Sequence, residues 1–452
     1  MNGKSHSITP EKVKKVSTPY RRIVTPIPVP ESMPILEDLR KHEPRSMRGQ
    51  PPIIWDRAEG FQVYDKYGNM WLDWSSGVLV TSAGHGRKEI KKAIVDMVNH
   101  GLLHNYCFPS EIRAKLVKKL AELAPDPLSK VFLLTTGSEA VECAIKLART
   151  WGQKIGGKKK IGIISFEGAF HGRTLGAQMI GGIPSLKEWI VNLDSDMYQL
   201  PFPGDFRCED RSFDTFIQFL KKNHISPDQI AAVISETYQG GGVFFMPKKY
   251  AKELAKWCKE NKILLIFDEI QAGFGRTGKM FGFEHYEVVP DIICCGKGIT
   301  SSLPLSAVIG RAEILDLYPP GTMTSTHTGN PVCVAAALAN LEIIEKERLY
   351  LRAAEVGNFL SSKLKEIQGQ FPKVIGAICG KGLVYGIHVI KDSSKDPDGE
   401  LALKIVKKCV EKGLMLFSPV GTGGATIKIC PPLIITKEAI EDGIVAFAEA
   451  IE

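Results

Sequence analysis

The stretch that decides the fold runs from Lys262 to Gly310: KILLIFDEIQAGFGRTGKMFGFEHYEVVPDIICCGKGITSSLPLSAVIG. Ile263 to Phe267 is a continuous apolar run that stops at Asp268-Glu269, the pattern of a strand buried on both faces. A second run, Ile292 to Cys295, leads straight into Gly296-Lys297-Gly298. A carboxylate and a lysine therefore stand at the ends of two expected core strands, 297 − 268 = 29 residues apart. Open parallel sheets bind ligands beyond the carboxyl ends of their strands, which makes these two residues the first candidates for a site.

Glycines on either side leave Lys297 poorly shielded, so its amine can meet a ligand closely. In an arbitrary sequence Gly-Lys-Gly is more often a solvated turn. Here Cys294-Cys295 precede it and the apolar run Leu303 to Ile309 follows, which places it in the interior. A partly desolvated lysine has a lowered pKa and becomes a usable nucleophile toward a carbonyl. An aspartate on the neighbouring strand is the counter-ion that a protonated pyridine nitrogen requires. Lys297 and Asp268 together fit pyridoxal 5'-phosphate and are the expected catalytic pair.

The pattern DEIQAGFGRTGKMFGFEHYEVVPDI, then GKGI, then PLSAVIG, resembles that of the class III aminotransferases, pyridoxal-phosphate enzymes of fold type I. The resemblance runs from about Trp55 to the C-terminus. It implies an α/β fold, a large domain with a mostly parallel sheet plus a smaller α+β domain, and an active site between domains and subunits. A homodimer or higher oligomer with shared sites follows from the same resemblance.

Composition agrees with this class and excludes others. The chain has 452 residues, 44% hydrophobic and 24% charged, ordinary for a globular protein of two domains or of one with a satellite. No run of eighteen or more apolar residues predicts a membrane helix. The start, MNGKSHSITPEKVKK, lacks the apolar core of a secretory signal, so a cytoplasmic location is expected. Ten cysteines are scattered with no C-x-x-C pair, which predicts small buried residues and neither a metal nor a redox site. The net charge of +8, from 58 Lys+Arg and 50 Asp+Glu, is spread along the chain. Nucleic-acid binders concentrate charge and interleave aromatics; here the expectation is solvated lysines and a mild pull on anionic substrates.

Taken in order, residues 1–50 are rich in Pro and charge and read as an extended arm with little structure of its own. Residues 51–84 read as the N-terminal part of the small domain, 85–330 as the large cofactor-binding domain, and 331–452 as an interdomain helix with the C-terminal small domain. Phe61 to Asp65 and Met70 to Asp73 alternate around Tyr67-Gly68-Asn69, a hairpin. By resemblance, Ser76-Gly77-Val78 borders the substrate pocket, with Val78 a substrate residue. Gly84-His85-Gly86-Arg87-Lys88 stands where the family commonly writes GH-x-H-P. Helical periodicity follows over 88–100 and 111–123.

Val131 to Leu134 reads as a strand, 135–138 as a small-residue turn, and Glu139 to Trp151 as an amphipathic helix. Such a turn serves either as an anion site or as a plain N-cap; by resemblance Gly137 and Ser138 hold the cofactor phosphate. Ile161 to Ser165 ends in Phe166-Glu167-Gly168-Ala169-Phe170-His171, where the resemblance makes Phe170 the ring-stacking residue, followed by His171. Ala231 to Ser235 ends in Glu236, which the family places near the ring oxygen, together with Gln271. Gly273 to Lys279 matches GxxxxGK, but Met280 replaces the Ser or Thr that holds magnesium, so the nucleotide reading is rejected. By resemblance Thr326 reaches across a dimer interface to the partner's phosphate. Strands are also expected over Leu383 to Val389 and Thr426 to Ile429.

Two positions depart from a familiar subgroup. Aminotransferases that take both ω-amino acids and glutamate often carry a second glutamate where this chain has Gly241, paired with an arginine where it has Lys428. Lysine lacks the bidentate fork that grips a carboxylate, so Lys428 is a substrate residue with altered recognition. The expected donor carries its amine on a β or ω carbon, with 2-oxoglutarate or pyruvate as acceptor. A bolder donor is a β-aminoacyl thioester of coenzyme A, such as 3-aminobutyryl-CoA. A racemase or epimerase on the same fold is the alternative, and a non-catalytic nucleotide-binding protein the distant one.

Overall fold

The computed structural model describes residues 6–392 and 394–452; the first five residues of the expected arm lie outside the described residues. The chain divides into two compact units, Lys88–Leu351 and Met1–Arg87 with Arg352–Glu452.

The larger unit is built on a seven-stranded sheet. Its strands run in the order Leu128–Leu134, Ser306–Arg311, Ile292–Cys295, Leu264–Asp268, Ile230–Glu236, Gly162–Phe166, Met197–Leu200. Ser306–Arg311 is antiparallel to both neighbours, and the remaining pairs are parallel. The four central strands, buried at every residue, are the near-continuous apolar runs that a sheet covered on both faces demands. Helix Gly137–Gly156 covers one face, burying Ala140, Ala144, Leu147 and Ala148 against Ile163, Ile234, Ile266 and Val308. The small residues on that face let helix and sheet approach closely. Helix Pro331–Lys346, expected at the domain border, packs on the helices Lys88–His100 and Glu111–Leu123 of this same unit.

The other unit holds a six-stranded sheet around Met70–Asp73 and a three-stranded antiparallel sheet, Ile375–Lys381, Val384–Val389, Thr426–Ile429. The expected hairpin forms, with Asp65 accepting the Tyr67 and Asn69 N–H groups at 2.9 Å each across its turn. The N-terminal fifty residues have more structure than their proline content predicted. Val16–Ser17 and Arg22–Ile23 join the six-stranded sheet, and Met33–His42 is a helix. Pro34 sits in that helix's first turn, where its missing N–H leaves no bond unmade. Arg21 is buried and forks onto Asp442 at 2.6 and 3.0 Å, which ties the arm to the last helix of its own unit.

No helix among the described residues is long and apolar enough to cross a membrane. Six of the ten cysteines are buried, as expected, but Cys107 is exposed.

Candidate active site

The site grows from parallel register. Strands Leu264–Asp268 and Ile230–Glu236 pair so that Asp268 lies beside Glu236, and Asp268 also neighbours Cys294 of Ile292–Cys295. All three strands therefore end at one level, and Lys297 follows two residues after the last of them. Gly137, Ser138, Phe170, His171, Glu236, Asp268, Gln271 and Lys297 line a single cavity of about 140 Å³. Gly172, Tyr238 and Ile270 complete its wall.

Lys297 adopts φ 41°, a left-handed conformation that a residue with a side chain holds only at a cost and that gathers at functional sites. Burial pushes its amine below the ordinary lysine value, while the charges of Asp268 and Glu236 oppose the shift. An amine so placed reaches its neutral, nucleophilic form at lower pH than a solvated one.

Asp268 is held from two sides. Its Oδ1 accepts the Ile270 N–H at 3.0 Å, and its Oδ2 meets Nδ1 of His171 at 2.8 Å. The carboxylate makes Nδ1 the donor. Burial works against charge on His171, but the bond and charge of Asp268, with Glu236 behind, outweigh it and raise the histidine's pKa. The sequence singled out His171 but did not show that it serves the aspartate.

Glu236 accepts the Phe170 N–H at 3.0 Å and the Gly240 N–H at 2.8 Å, which joins the loop carrying Phe170 to the turn after its own strand. Burial, and the charge of Asp268, push its carboxyl up to about 7, opposed by His171 and the two backbone donors.

At the start of helix Gly137–Gly156 the Thr136 side chain accepts the Glu139 N–H at 3.3 Å, and Glu139 returns its carboxylate to the Thr135 and Thr136 N–H groups. Gly137 and Ser138 are then the first-turn residues facing the cavity, at the positive end of a helix of 20 residues, a place that favours an anion. Close approach requires glycine here. A Cβ on Gly137 would meet Ile270 Cδ1 at 2.9 Å, and one on Gly172, at φ +135°, would run into Ser138.

An amine, a paired carboxylate, a flat aromatic side chain and an anion-favouring helix start, in a cradle that extra carbon atoms would fill, match what pyridoxal phosphate asks of a protein. When bound, the cofactor supplies a carbonyl for amines and an electron sink for the carbanion.

The remaining expected residues lie outside this wall. Thr326 is exposed in the loop before helix Pro331–Lys346. Val78 and Lys428 belong to the other compact unit. Val78 is half-exposed at the crest of a left-handed turn, with Ser76, Gly77, Val78 and Leu79 all at φ between 50° and 64°. Lys428 is buried on Thr426–Ile429. Tyr238 escaped the sequence reading although the strand period marks it: two residues after Glu236, it returns to the same face. Arg173 escaped it too. Its guanidinium lies 5.7 Å over the Phe170 ring.

A model of the class-III aminotransferase family matches residues 45–451. An alanine/serine racemase of Pyrococcus horikoshii is 35% identical over 99% of this chain and 96% of its own. A probable 4-aminobutyrate aminotransferase of Bacillus subtilis is 34% identical over 86% and 90%. Among solved structures, the amine transaminase of an uncultivated Pseudomonas species, in its pyridoxal-phosphate-bound form, superposes with a TM-score of 0.82. It shares 28% identity and covers 88% of this chain and 94% of its own.

Proposed function

Because the chain belongs to the class III aminotransferases, which use pyridoxal phosphate, we propose that it moves an amino group from a β- or ω-amino donor to 2-oxoglutarate or pyruvate. In this reading Lys297 would hold the cofactor through its amine, and the same amine is placed to carry a proton to and from the donor carbon. Asp268, with His171 bonded behind it, would serve the ring nitrogen, and Phe170 would offer its face to the ring. Gly137 and Ser138 hold the phosphate, and Glu236 and Gln271 stand by the ring oxygen. The protein works in the cytoplasm as a homodimer or larger assembly, each phosphate site completed by the partner subunit's Thr326.

The placement of cations carries the donor class. Among the described residues that line the cavity, the cationic side chains are Lys297 and His171; the first reacts and the second is bonded to Asp268. A carboxylate next to the reacting carbon finds no guanidinium fork there. Arg173, out over Phe170, suits a carboxylate several bonds from the amine, and Gly241 and Lys428 remove the familiar means of gripping an α-carboxylate. A β-aminoacyl thioester such as 3-aminobutyryl-CoA fits the same reasoning, since its far end carries no carboxylate near the chemistry. Val78 and Lys428 take part in selecting the donor.

The test is the near-visible spectrum of the purified protein with β-, ω- and α-amino acids, simple amines and a β-aminoacyl-CoA. Bleaching by β- or ω-amino donors, reversed by an oxo acid, supports the proposal; bleaching by α-amino acids alone sinks it. Arg173→Gln should raise KM about tenfold for donors with a distant carboxylate, the value of one charge-assisted hydrogen bond, and leave simple amines unchanged. The racemase reading draws on the 35% identity to the Pyrococcus enzyme over almost the whole chain. It predicts loss of optical activity with no oxo acid present, which chiral chromatography detects.

A further inference from the structure

Behind the cavity wall lies a second set of buried polar groups that none of these roles uses. Along the ends of strands Ile230–Glu236 and Leu264–Asp268, the residues Glu236, Tyr238, Asp268 and Ile270 line the cavity. Thr237 and Glu269, between them, turn the other way, as strand alternation requires. Glu269 is fully buried. Its Oε1 accepts the Thr237 hydroxyl and, at 2.9 Å, the Phe283 N–H; its Oε2 accepts the Gly282 N–H at 2.7 Å. The Thr237 carbonyl accepts the Tyr286 hydroxyl, which in turn accepts the Met246 N–H at 3.0 Å.

The surroundings show a built arrangement. Phe283 stacks between Phe267 and Phe281, with ring centres 6.3 and 5.6 Å away, so the carboxylate sits in an apolar setting where each donor counts heavily. A Cβ on Gly282 would come within 2.8 Å of Thr237 Cγ2 and 2.9 Å of Ala272 Cβ; glycine lets the turn close on the carboxylate. Burial pushes the Glu269 carboxyl up to about 7, against the pull of Thr237, then Gly282 and Phe283. On the cavity side, the Tyr238 hydroxyl donates to the Gln271 carbonyl at 3.2 Å, joining the two segments that Thr237 and Glu269 join from behind.

We propose that Glu269 is a positioning residue for the reaction, working through Thr237: it locks the segment 236–238 to the segment 268–271 and to the Gly282–Phe283 turn, and so sets Tyr238 and Gln271 against the bound ring. Neither Glu269 nor Thr237 touches the reacting atoms. The proposal rests on the family's cofactor chemistry and is independent of the donor class.

Three variants of the cofactor-loaded enzyme test it. Thr237→Val removes the hydroxyl and keeps the branched shape; Thr237→Ser returns a hydroxyl; Glu269→Gln turns an N–H2 toward a backbone N–H and cannot satisfy all three donors. With any amine that bleaches the cofactor band, Thr237→Val and Glu269→Gln should each slow bleaching per bound cofactor on the order of tenfold, with a smaller change in KM and a displaced band. Thr237→Ser should stay near the parent. In the cofactor-free chain, hydrogen exchange at the Gly282 and Phe283 amides should quicken in the two slowed variants. The proposal is overturned if Thr237→Val lowers the melting temperature but bleaches at the parent rate with an unmoved band, or if Thr237→Ser fails as Thr237→Val does. Should Glu269→Gln not fold, the two Thr237 variants decide. If no amine bleaches even the parent enzyme, the donor reading falls, while band position and amide exchange still judge this one.

Discussion

Replacing His171 with leucine tests how the site holds its aspartate. The ring bonds Asp268 at 2.8 Å, and the two side chains are 0% and 4% exposed, so neither solvent nor salt screens the contact. Leucine removes that donor from the buried Oδ2, while the Ile270 N–H, on the other oxygen, stays in place. A hydrogen bond to a charged group contributes about 1.5–3 kcal/mol. At about 1.4 kcal/mol per factor of ten, the donor half-reaction should slow roughly ten- to a hundredfold. The assay is single-turnover bleaching of the near-visible band, normalised to bound cofactor, with melting temperature measured separately. His171→Asn keeps an N–H close to the original Nδ1 and should recover part of the rate. Bleaching at the parent rate in the leucine variant refutes the reasoning. So does an asparagine variant no better than leucine at equal cofactor occupancy.

Three further outcomes are expected. Lys297→Ala should abolish the near-visible band and turnover yet leave the melting temperature of the cofactor-free chain close to that of the cofactor-free parent; a surviving band in the same place removes Lys297 from its role. Gly172→Ala should weaken cofactor binding by about 1–3 kcal/mol, because the new carbon meets Ser138 and φ is +135°; a fluorescence titration against pyridoxal phosphate measures it, and unchanged affinity counts against the phosphate assignment. The carboxyls of Glu236 and Glu269, both pushed up to about 7 from 4.5, keep protons in the folded chain that the unfolded chain releases. Stability should therefore fall as pH rises from about 4.5 to about 7, by about 3 kcal/mol for one group shifted that far. Glu269→Gln should lessen the slope in denaturant unfolding across that range, and an unchanged slope rules Glu269 out as its source.

Local sequence pattern made the class of fold legible and marked Lys297 and Asp268, while the family resemblance pointed to Gly137, Ser138, Phe170, His171, Glu236 and Gln271 of the same wall. Apolar runs that stop at a charge mark buried strands and the ends where ligands bind, and that signal is local: Asp268 follows Phe267, and Glu236 follows Ser235. Lys297 was legible for the same reason. The helix Met33–His42 was hidden because proline in a first turn looks, by composition, like proline in a loop. The tertiary structure alone decided the pairings. His171 meets Asp268 across 97 residues, and Glu269 meets the Gly282 N–H across 13. It also decided that Ser306–Arg311 enters the sheet antiparallel. Hydrophobic period is written in neighbouring residues, but the partner of a buried polar group is set by the path of the chain between them. The His171 ring and the Glu269 carboxylate each find their donors or acceptors only once the sheet has brought distant strand ends to one level.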